Sequence, residues 1–319
     1  MLAGFVRTHH RHVRRLEGSR VILAGDLARG KVGLVAGGGS GHEPALIGYV
    51  GAGLLGAVVA GEVFASPPAG EVVKAIDAVD TGAGVLLLIG NYAGDVINFE
   101  MAMESARAAG HRVELQVVTD DVAAGTADIR SRRGLAGSFF VWKAAGASAA
   151  SGAALDEVRR VAQKANESTR TMGVASHPGT VPGTDRPLFA IPDDQIEIGV
   201  GHGEPGLRRI SVRPVDAIVD ELVEHLVSAE PSGGLGSEVA TLVNGLGATP
   251  LIELYVVQRR LVENLEGRGT IVHRSFVGNY YTALEMAGFS VALLGLDGEL
   301  RALIDAPASS AHFSQPASS

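Results

Sequence analysis

The sequence predicts an α/β fold with two domains: a larger sheet of mostly parallel strands covered by helices on both faces, and a smaller α/β domain. Two observations lead to this fold class. Short apolar, β-branched runs alternate with stretches of helical periodicity, and the 319-residue chain is about twice the usual length of one domain. We expect a substrate-loop α/β domain at residues 1–189 and the smaller α/β domain at residues 190–319.

Four runs in the first domain have the composition of buried strands, and each ends in glycine, alanine or a polar cluster. They occupy residues 31–36, 53–60, 84–90 and 112–118. Helix-like stretches at 70–79 and 95–109 separate the later runs. Because this alternation is typical of a parallel sheet, a ligand is expected at the carboxyl ends of the strands.

The second domain repeats the alternation on a smaller scale. A helix at 155–169 precedes a proline-rich connection at 176–194. Beyond the connection, the pattern predicts helices near 214–227 and 250–266 and strands near 239–243, 270–277 and 289–296. The polar tail at 309–319 is expected to be frayed.

Composition excludes several classes of function. Lys and Arg number 27 against 35 Asp and Glu, and the net charge of −8 argues against nucleic acid as the main partner. The chain has no cysteine, which excludes a thiolate nucleophile, a disulfide framework and a thiolate metal site. The N-terminal segment is charged where a secretory signal would be apolar, and no apolar run is long enough to span a membrane. These features predict a cytoplasmic protein without a membrane partner.

The first candidate for chemistry is the glycine-rich segment GGGSGHEP at 37–44, directly after a predicted strand. Successive glycines let a backbone present its N–H groups to an oxygen-rich ligand. A P-loop is excluded, because the Gly-Lys-Ser/Thr ending is absent. A plain tight turn and a dinucleotide-binding loop are alternatives; the latter would use Gly37, Gly39 and Glu62, with His42 in place of the third glycine. A small-ligand loop is the favoured interpretation.

Asp95 is the second candidate, within GNYAGDVINF at 90–99 at the exit of another predicted strand. Taken alone, Asp95 is best explained as a helix N-cap. If the sheet brings Asp95 close to His42, its carboxylate gains a second role, because a carboxylate beside an imidazole or a substrate hydroxyl can act as a general base.

His202 is the third candidate, within EIGVGHGEPG at 197–206. Like His42, it lies in a glycine-rich loop beside a Glu-Pro pair, which packing alone does not explain. A neutral imidazole nitrogen can attack an electrophilic carbonyl. A metal site of the two histidines with Glu43 and Glu204 is an alternative, although no helical His-x-x-x-His spacing supports it.

Two pairs of charged residues are weaker candidates. Asp120 and Asp121 end a predicted strand and could bind a cation or a sugar hydroxyl, with turn capping the favoured use. Arg132 and Arg133 could contact an anion or an acidic partner, although exposed arginine pairs are usually surface charge.

Seven motifs are spread along the chain from residue 37 to residue 255. They are GGGSGHEP at 37–44, GEVFASP at 61–67, GNYAGDVINFE at 90–100, TDDVA at 119–123, RRGLAG at 132–137, GHGEPG at 201–206 and NGLGATPLIELY at 244–255. This set resembles the dihydroxyacetone (glycerone) kinase family, specifically its dihydroxyacetone-binding K subunit. The likeness extends from about residue 3 to Pro307.

The resemblance implies a transferase of glycerol metabolism that binds a short ketose and supports phosphoryl transfer to its terminal hydroxyl. By resemblance, His202 forms a covalent hemiaminal with the ketone carbon. Asp95 binds the substrate hydroxyl and helps to deprotonate it, and His42 is a catalytic acid or base. The substrate-binding loop corresponds to Gly39, Ser40, Gly41 and His42.

The resemblance also implies the partners. The chain itself is expected to bind no cofactor and no metal. The phosphoryl donor belongs to a separate L-type nucleotide-binding subunit, which carries either ADP recharged by the phosphotransferase system or Mg-ATP. A homodimer is expected.

Three differences from the family pattern leave alternatives open. Gly90 stands where the family usually has lysine, Ala93 where threonine is common, and the segment before His202 is one residue shorter. They admit another short ketose, such as erythrulose, as the substrate. They also admit a non-catalytic paralogue that binds dihydroxyacetone as a coactivator or sensor.

Overall fold

The computed structural model describes residues 1–123, 128–229 and 235–317. Within these residues the chain has two six-stranded sheets and one three-stranded sheet. The helices are α1 (Leu2–Thr8), α2 (Ala69–Val79), α3 (Ala93–Ala108), α4 (Ser138–Ala150), α5 (Leu155–Glu167), α6 (Val215–Ser228), α7 (Leu251–Gly267) and α8 (Gly298–Asp305).

The strands of the first sheet are β1 (Val13–Arg15), β2 (Val21–Ala24), β3 (Gly33–Ser40), β5 (Ala57–Val63), β6 (Val85–Gly90) and β7 (Val113–Val118), with β4 (Gly51–Ala52) in the small sheet. The order is β1-β2-β5-β3-β6-β7. Pairing is parallel from β5 to β7, whereas β1 and β2 add two antiparallel strands at one edge. Helices α2 and α3 pack on one face and α4 and α5 on the other, as the predicted fold class requires.

The strands of the second sheet are β8 (Thr169–His177), β9 (Gln195–Ile198), β10 (Arg208–Ser211), β11 (Glu238–Gly245), β12 (Ile271–Gly278) and β13 (Ala287–Gly295). The order is β10-β9-β8-β13-β11-β12, and only the β11–β12 pair is parallel among these described strands. Helices α6 and α7 cover one face. Strand β8 is central in this sheet, so the second sheet begins at Thr169, within the residues 1–189 that the sequence analysis assigns to the first domain.

Helix α4 joins the two sheets into one structure. Every residue of α4 except Ala150 is buried, and its aromatic side chains share a core with residues of both sheets. A helix that is buried on all sides shows no amphipathic period, and so the sequence pattern does not reveal it. The shared core holds the carboxyl edge of the first sheet against the loops of the second.

Two local expectations are corrected. Residues 37–40 continue strand β3 and are not a loop, so the strand-turn-helix context of a dinucleotide-binding fingerprint is not formed. The described part of the tail is not frayed, because it adds β14 (Ala308–Ser310) and β15 (Ser314–Gln315) to a small sheet with β4. Phe313 anchors the tail in the main core. Across the described ranges, the helices are too short or too polar to cross a bilayer.

Candidate active site

One cleft of about 310 Å³ brings together the side chains singled out in three separate motifs. The first sheet contributes the end of β3 and the start of α3, with His42 and Asp95. The loop between β9 and β10 contributes His202, and the connection after β12 contributes Tyr281. The cleft therefore lies at the carboxyl edge of the parallel strands, where the fold class predicts a ligand.

His202 is buried in the cleft with its ring free of hydrogen bonds. Its side chain is only 7% exposed, and neither ring nitrogen has a partner in the protein. The ring stacks on Tyr281, with centroids 3.9 Å apart and planes inclined by 22°. Burial lowers the pKa of His202 well below its usual value, and His42 and Arg133 act in the same direction. His202 is therefore a neutral imidazole with a free lone pair.

His42 faces His202 at a ring-centroid distance of 6.0 Å. Its Nδ1 lies 2.7 Å from the carbonyl oxygen of Thr282. Because a carbonyl only accepts, Nδ1 carries the proton and Nε2 is left unprotonated in the neutral ring. Burial lowers the pKa of His42 to about 4. The ring is thus neutral near pH 7, with Nε2 free to accept a hydrogen bond.

Asp95 is a buried carboxylate at the start of α3. It is 9% exposed, and its Oδ1 has no hydrogen-bond partner. Burial raises the pKa of Asp95 to about 6, against the opposing hydrogen bond from Ser66. The N-cap position belongs to Tyr92, and no side chain caps this helix. The N-cap interpretation of Asp95 is therefore wrong, and its unpartnered oxygen is available for a ligand in the cleft.

The glycine-rich segment contributes backbone more than side chains. Gly38 and Gly39 line the cleft. A Cβ on Gly39 would lie 2.8 Å from the backbone nitrogen of Ala65, so only glycine fits there. Ser40 and Gly41, also expected in the substrate loop, are not among the lining residues. The Ser40 hydroxyl instead donates to the carbonyl oxygen of Gly61 at 2.8 Å.

The two glutamates of the alternative metal site, Glu43 and Glu204, each contact another group of the protein. Glu43 accepts the backbone N–H of Gly41 at 2.9 Å, and Glu204 lies 3.1 Å from the guanidinium of Arg133. Within residues 1–123, 128–229 and 235–317, no group of three histidine or acidic side chains is placed to hold a metal ion.

Three of the four weaker candidates, Asp120, Asp121 and Arg133, have structural partners. The buried Asp120 carboxylate accepts the backbone N–H groups of Leu135 at 2.6 Å and Gly137 at 2.9 Å, next to the start of α4. The local turn contact belongs to Asp121, which accepts the backbone N–H of Ala123 at 2.9 Å. Arg132 is 5% exposed. Arg133 is a largely buried bridge to Asp121 and not surface charge. The interpretation of this arginine pair as exposed is wrong.

Aromatic side chains of the cleft were not singled out by the sequence. Tyr281 and Phe64 contact the His42 ring, at centroid distances of 5.3 and 4.9 Å. Tyr92 also lines the cleft, and its buried hydroxyl has no partner. Its ring packs against Gly90, where a Cβ would lie 3.1 Å away. Tyr92 lies inside a quoted motif, but nothing in the chain near Tyr281 signals a contact with residue 202.

Comparison with known proteins gives one family. The Dak1 domain model matches residues 3–312. The chain is 47% identical, over 94% of its length and 91% of the relative, to the dihydroxyacetone-binding subunit DhaK of PTS-dependent dihydroxyacetone kinase 1 from Listeria innocua.

Two further similarities concern other members of this group. An L-erythrulose kinase of Pectobacterium atrosepticum is 41% identical over 96% of this chain, which spans 53% of that longer protein. Among solved structures, the dihydroxyacetone kinase operon co-activator Dha-DhaQ superposes with a TM-score of 0.93 and 33% identity, covering 99% of this chain and 98% of that chain.

Proposed function

Because the chain belongs to the dihydroxyacetone kinase family, as a K subunit with a Dak1 domain, we propose that it binds a short ketose and presents its terminal hydroxyl for phosphorylation. The chain would be the substrate-binding subunit of a phosphotransferase whose phosphoryl donor is bound by a partner subunit, with dihydroxyacetone as the expected substrate. Relatives named as the dihydroxyacetone-binding subunit and as an erythrulose kinase both support a short ketose.

The observation that carries this proposal is the state of His202. A buried histidine usually satisfies at least one ring nitrogen, but both nitrogens of His202 lack partners. The Tyr281 stack holds the ring plane, and burial keeps the ring neutral. An unpartnered neutral imidazole in a cleft is suited to bond to an electrophilic carbon.

The covalent step adds an imidazole N–H across the ketone. The lone pair of one His202 nitrogen attacks the carbonyl carbon, the C=O π electrons move to oxygen, and the ring proton is transferred to that oxygen. The product is a hemiaminal with one new C–N bond. A polyol such as glycerol has no carbonyl and cannot form this bond, so covalent capture selects ketoses over polyols.

Phosphoryl transfer then requires the terminal hydroxyl to lose its proton. Asp95 would accept this proton through its unpartnered Oδ1 as the hydroxyl oxygen bonds to the incoming phosphorus. His42, with an unprotonated Nε2, would polarise the substrate or relay a proton. The donor would be ADP recharged to ATP, or Mg-ATP, on a separate L-type subunit. The nucleoside diphosphate leaves as the P–O bond to the terminal phosphoryl group breaks.

Carbon-13 NMR with dihydroxyacetone labelled at C2 tests the ketose-binding role. Hemiaminal formation converts a carbonyl carbon into a saturated one, and the labelled resonance moves accordingly. We expect this signal with the wild-type chain and none with His202→Ala. His225→Ala is the matched control, because His225 is exposed on α6 and outside the cleft. A wild-type chain that leaves the ketone resonance unchanged would rule out covalent capture.

The similarity to the co-activator structure favours one second function. A sensor of this kind would hold dihydroxyacetone without transferring a phosphoryl group. Reconstitution with an L-type subunit and its donor separates the two functions. Capture of ketose without any phosphorylated product from dihydroxyacetone or erythrulose would identify a sensor, whereas turnover would identify a kinase subunit. Comparing kcat/KM for the two ketoses in the same assay would give the preferred substrate.

We also propose a homodimer. Helix α7 exposes an apolar row, with Leu251, Ile252 and Tyr255 at 50%, 74% and 56% exposure, which is large for a chain that functions alone. Light scattering should give twice the chain mass for the wild type. Ile252→Glu should shift the mass toward one chain if this row is the interface.

A further inference from the structure

Arg133 contacts the two residues that flank the His202 loop. Its Nη1 lies 3.1 Å from a carboxylate oxygen of Glu204, and its Nη2 donates to the carbonyl oxygen of Gly199 at 2.8 Å. Its Nε donates to the carboxylate of Asp121 at 2.7 Å. All three guanidinium nitrogens are therefore used, and two of the contacts lie on either side of His202.

The Asp121 end of this arrangement is rigid. The Asp121 side chain is fully buried, and its other oxygen accepts the backbone N–H of Ala123 at 2.9 Å. The backbone N–H of Asp121 donates to the carbonyl oxygen of Arg133 at 3.1 Å. Arg133 thus fixes the loop to a buried anchor that follows β7 in the first sheet.

The other hydrogen bonds of the His202 loop stay within the second sheet or within the loop. The backbone N–H of Gly199 donates to the carbonyl oxygen of Gly173 at 2.7 Å, that of Leu207 to Ile198 at 2.9 Å, and that of Gly201 to Glu204 at 3.1 Å. None of these three hydrogen bonds joins the loop to the first sheet. Two residues of the loop, Gly199 and Gly203, have positive φ angles of 82° and 94°. The ring of His202 makes no hydrogen bond. A Cβ on Gly201 would lie 2.6 Å from the Glu204 carboxylate and 2.8 Å from Arg133, so the ion pair packs directly on the residue before His202.

The charge of Arg133 also acts on His202. A nearby guanidinium disfavours a second positive charge, and the pKa of His202 is lowered in part for this reason. An unprotonated ring is required for attack on a carbonyl. The other titratable groups that line the cleft around the ring are His42, Tyr92, Asp95, Tyr281 and Glu204.

From this geometry we infer that Arg133 is a positioning residue for the covalent step: it ties the His202 loop to Asp121 and so sets where the imidazole meets the ketose carbonyl. The inference rests on the proposed function, because it assumes that His202 captures a ketose. Arg133 itself is not among the residues that line the cleft.

Four variants separate tethering from charge. Arg133→Ala removes both, and Arg133→Lys keeps the charge but cannot reach three acceptors in a planar fork. Glu204→Gln removes one ionic contact at a residue whose side chain is 44% exposed, so the fold should persist. Arg160→Ala is the control, since Arg160 also bridges two carboxylates, Glu157 and Glu299, but lies outside the cleft.

The hemiaminal resonance is measured per folded protein across a range of pH. We expect Arg133→Ala to lower capture about tenfold or more, because small misplacements of a reacting group are costly. Without the repelling charge of Arg133, the pKa of His202 should rise. As the pH is lowered, we therefore expect Arg133→Ala to lose capture at a higher pH than the wild type does. Arg133→Lys should lower capture while leaving the pH midpoint in place. Glu204→Gln should give a smaller loss, and Arg160→Ala none.

Added guanidinium ion should partly restore capture by Arg133→Ala, which a general loss of stability would not allow. If Arg133→Ala does not fold, Arg133→Lys and Glu204→Gln decide the question. The role of Arg133 would be overturned if the wild type captures the ketose and both of these variants capture it to the same level with the same pH midpoint. No capture by the wild type would instead refute the proposed function.

Discussion

The ring of His202 lies on the ring of Tyr281, with centroids 3.9 Å apart and planes inclined by 22°. The two residues come from different connections of the second sheet, one after β9 and one after β12. The stack fixes the plane of the imidazole while leaving both ring nitrogens without hydrogen bonds. An imidazole held by its face rather than by its nitrogens keeps its lone pair free for a ligand.

Tyr281→Ala should weaken ketose capture more than Tyr281→Phe. Phenylalanine keeps the stacking surface, whereas alanine removes it and leaves a cavity beside His202. We expect near wild-type capture for phenylalanine, about a tenfold loss for alanine, and a destabilisation of about 3 kcal/mol for alanine. Capture is measured by the labelled-ketone resonance and stability by urea unfolding. Equal capture per folded molecule in the two variants would show that the stack is not needed.

Asn244 should be required for the position of Tyr281. Its Oδ1 accepts the backbone N–H groups of Tyr280 and Tyr281 at 2.8 Å each, and its Nδ2 donates to the Tyr281 carbonyl at 2.8 Å and to the Ser290 hydroxyl at 3.0 Å. Asn244→Ala leaves these groups unpaired and should cost about 2–4 kcal/mol. Urea unfolding checks this value, with Gln163→Ala at an exposed position of α5 as the control. A change below about 0.5 kcal/mol, the range of ordinary surface substitutions, would contradict it.

The sequence predicts the alternating units of the first sheet well, because buried parallel strands form continuous apolar runs. It does not predict β1 and β2, which lie in a segment rich in charged residues. It also misses α4, because a helix buried on all sides has no polar face. The extension of β3 through Ser40 is hidden by glycines that serve close packing and not a turn.

The sequence alone identifies Asp95, His42 and His202 as candidate site residues, because titratable side chains are conspicuous in glycine-rich segments. It does not provide Tyr281 or the bridge from Arg133 to Glu204. Both depend on contacts between residues far apart in sequence, 71 positions in the case of the bridge. A contact of that kind leaves no local pattern.

The rate of phosphoryl transfer should fall in mildly acidic solution. Asp95 accepts a proton only when ionised, and burial raises its pKa to about 6. His42, with a pKa lowered to about 4, stays neutral through this range. We therefore expect kcat/KM for the ketose to be constant near pH 7 and to decline about tenfold per pH unit well below 6. Steady-state kinetics with an L-type subunit checks this; a constant kcat/KM between pH 7 and pH 5 would exclude Asp95 as the base.

Asp95→Asn should stabilise the fold while abolishing transfer. The folded-state pKa of about 6 exceeds the ordinary aspartate value of 3.8, so the buried carboxylate costs stability above pH 6. This cost, up to about 3 kcal/mol, fades as the pH falls from 6 toward 4, because the folded state takes up a proton first. Urea unfolding of both proteins should show the advantage of Asp95→Asn at pH 7 and a smaller one at pH 4.5. An advantage that grows on acidification would contradict the direction of this pKa shift.

Gly37→Ala should destabilise the first sheet, although alanine is usually harmless in a strand. A Cβ at this position would lie 2.7 Å from the Phe99 ring of α3 and 2.8 Å from the carbonyl oxygen of Val59 in β5. The strand and the helix cannot both keep their places, and overpacking of this kind costs about 2 kcal/mol. Gly4→Ala in α1 is the control, because its Cβ meets nothing within 4 Å and alanine favours a helix. Urea unfolding should show a loss for Gly37→Ala and no loss for Gly4→Ala. Equal stabilities would mean that β3 and α3 do not pack as closely as the glycines of β3 allow.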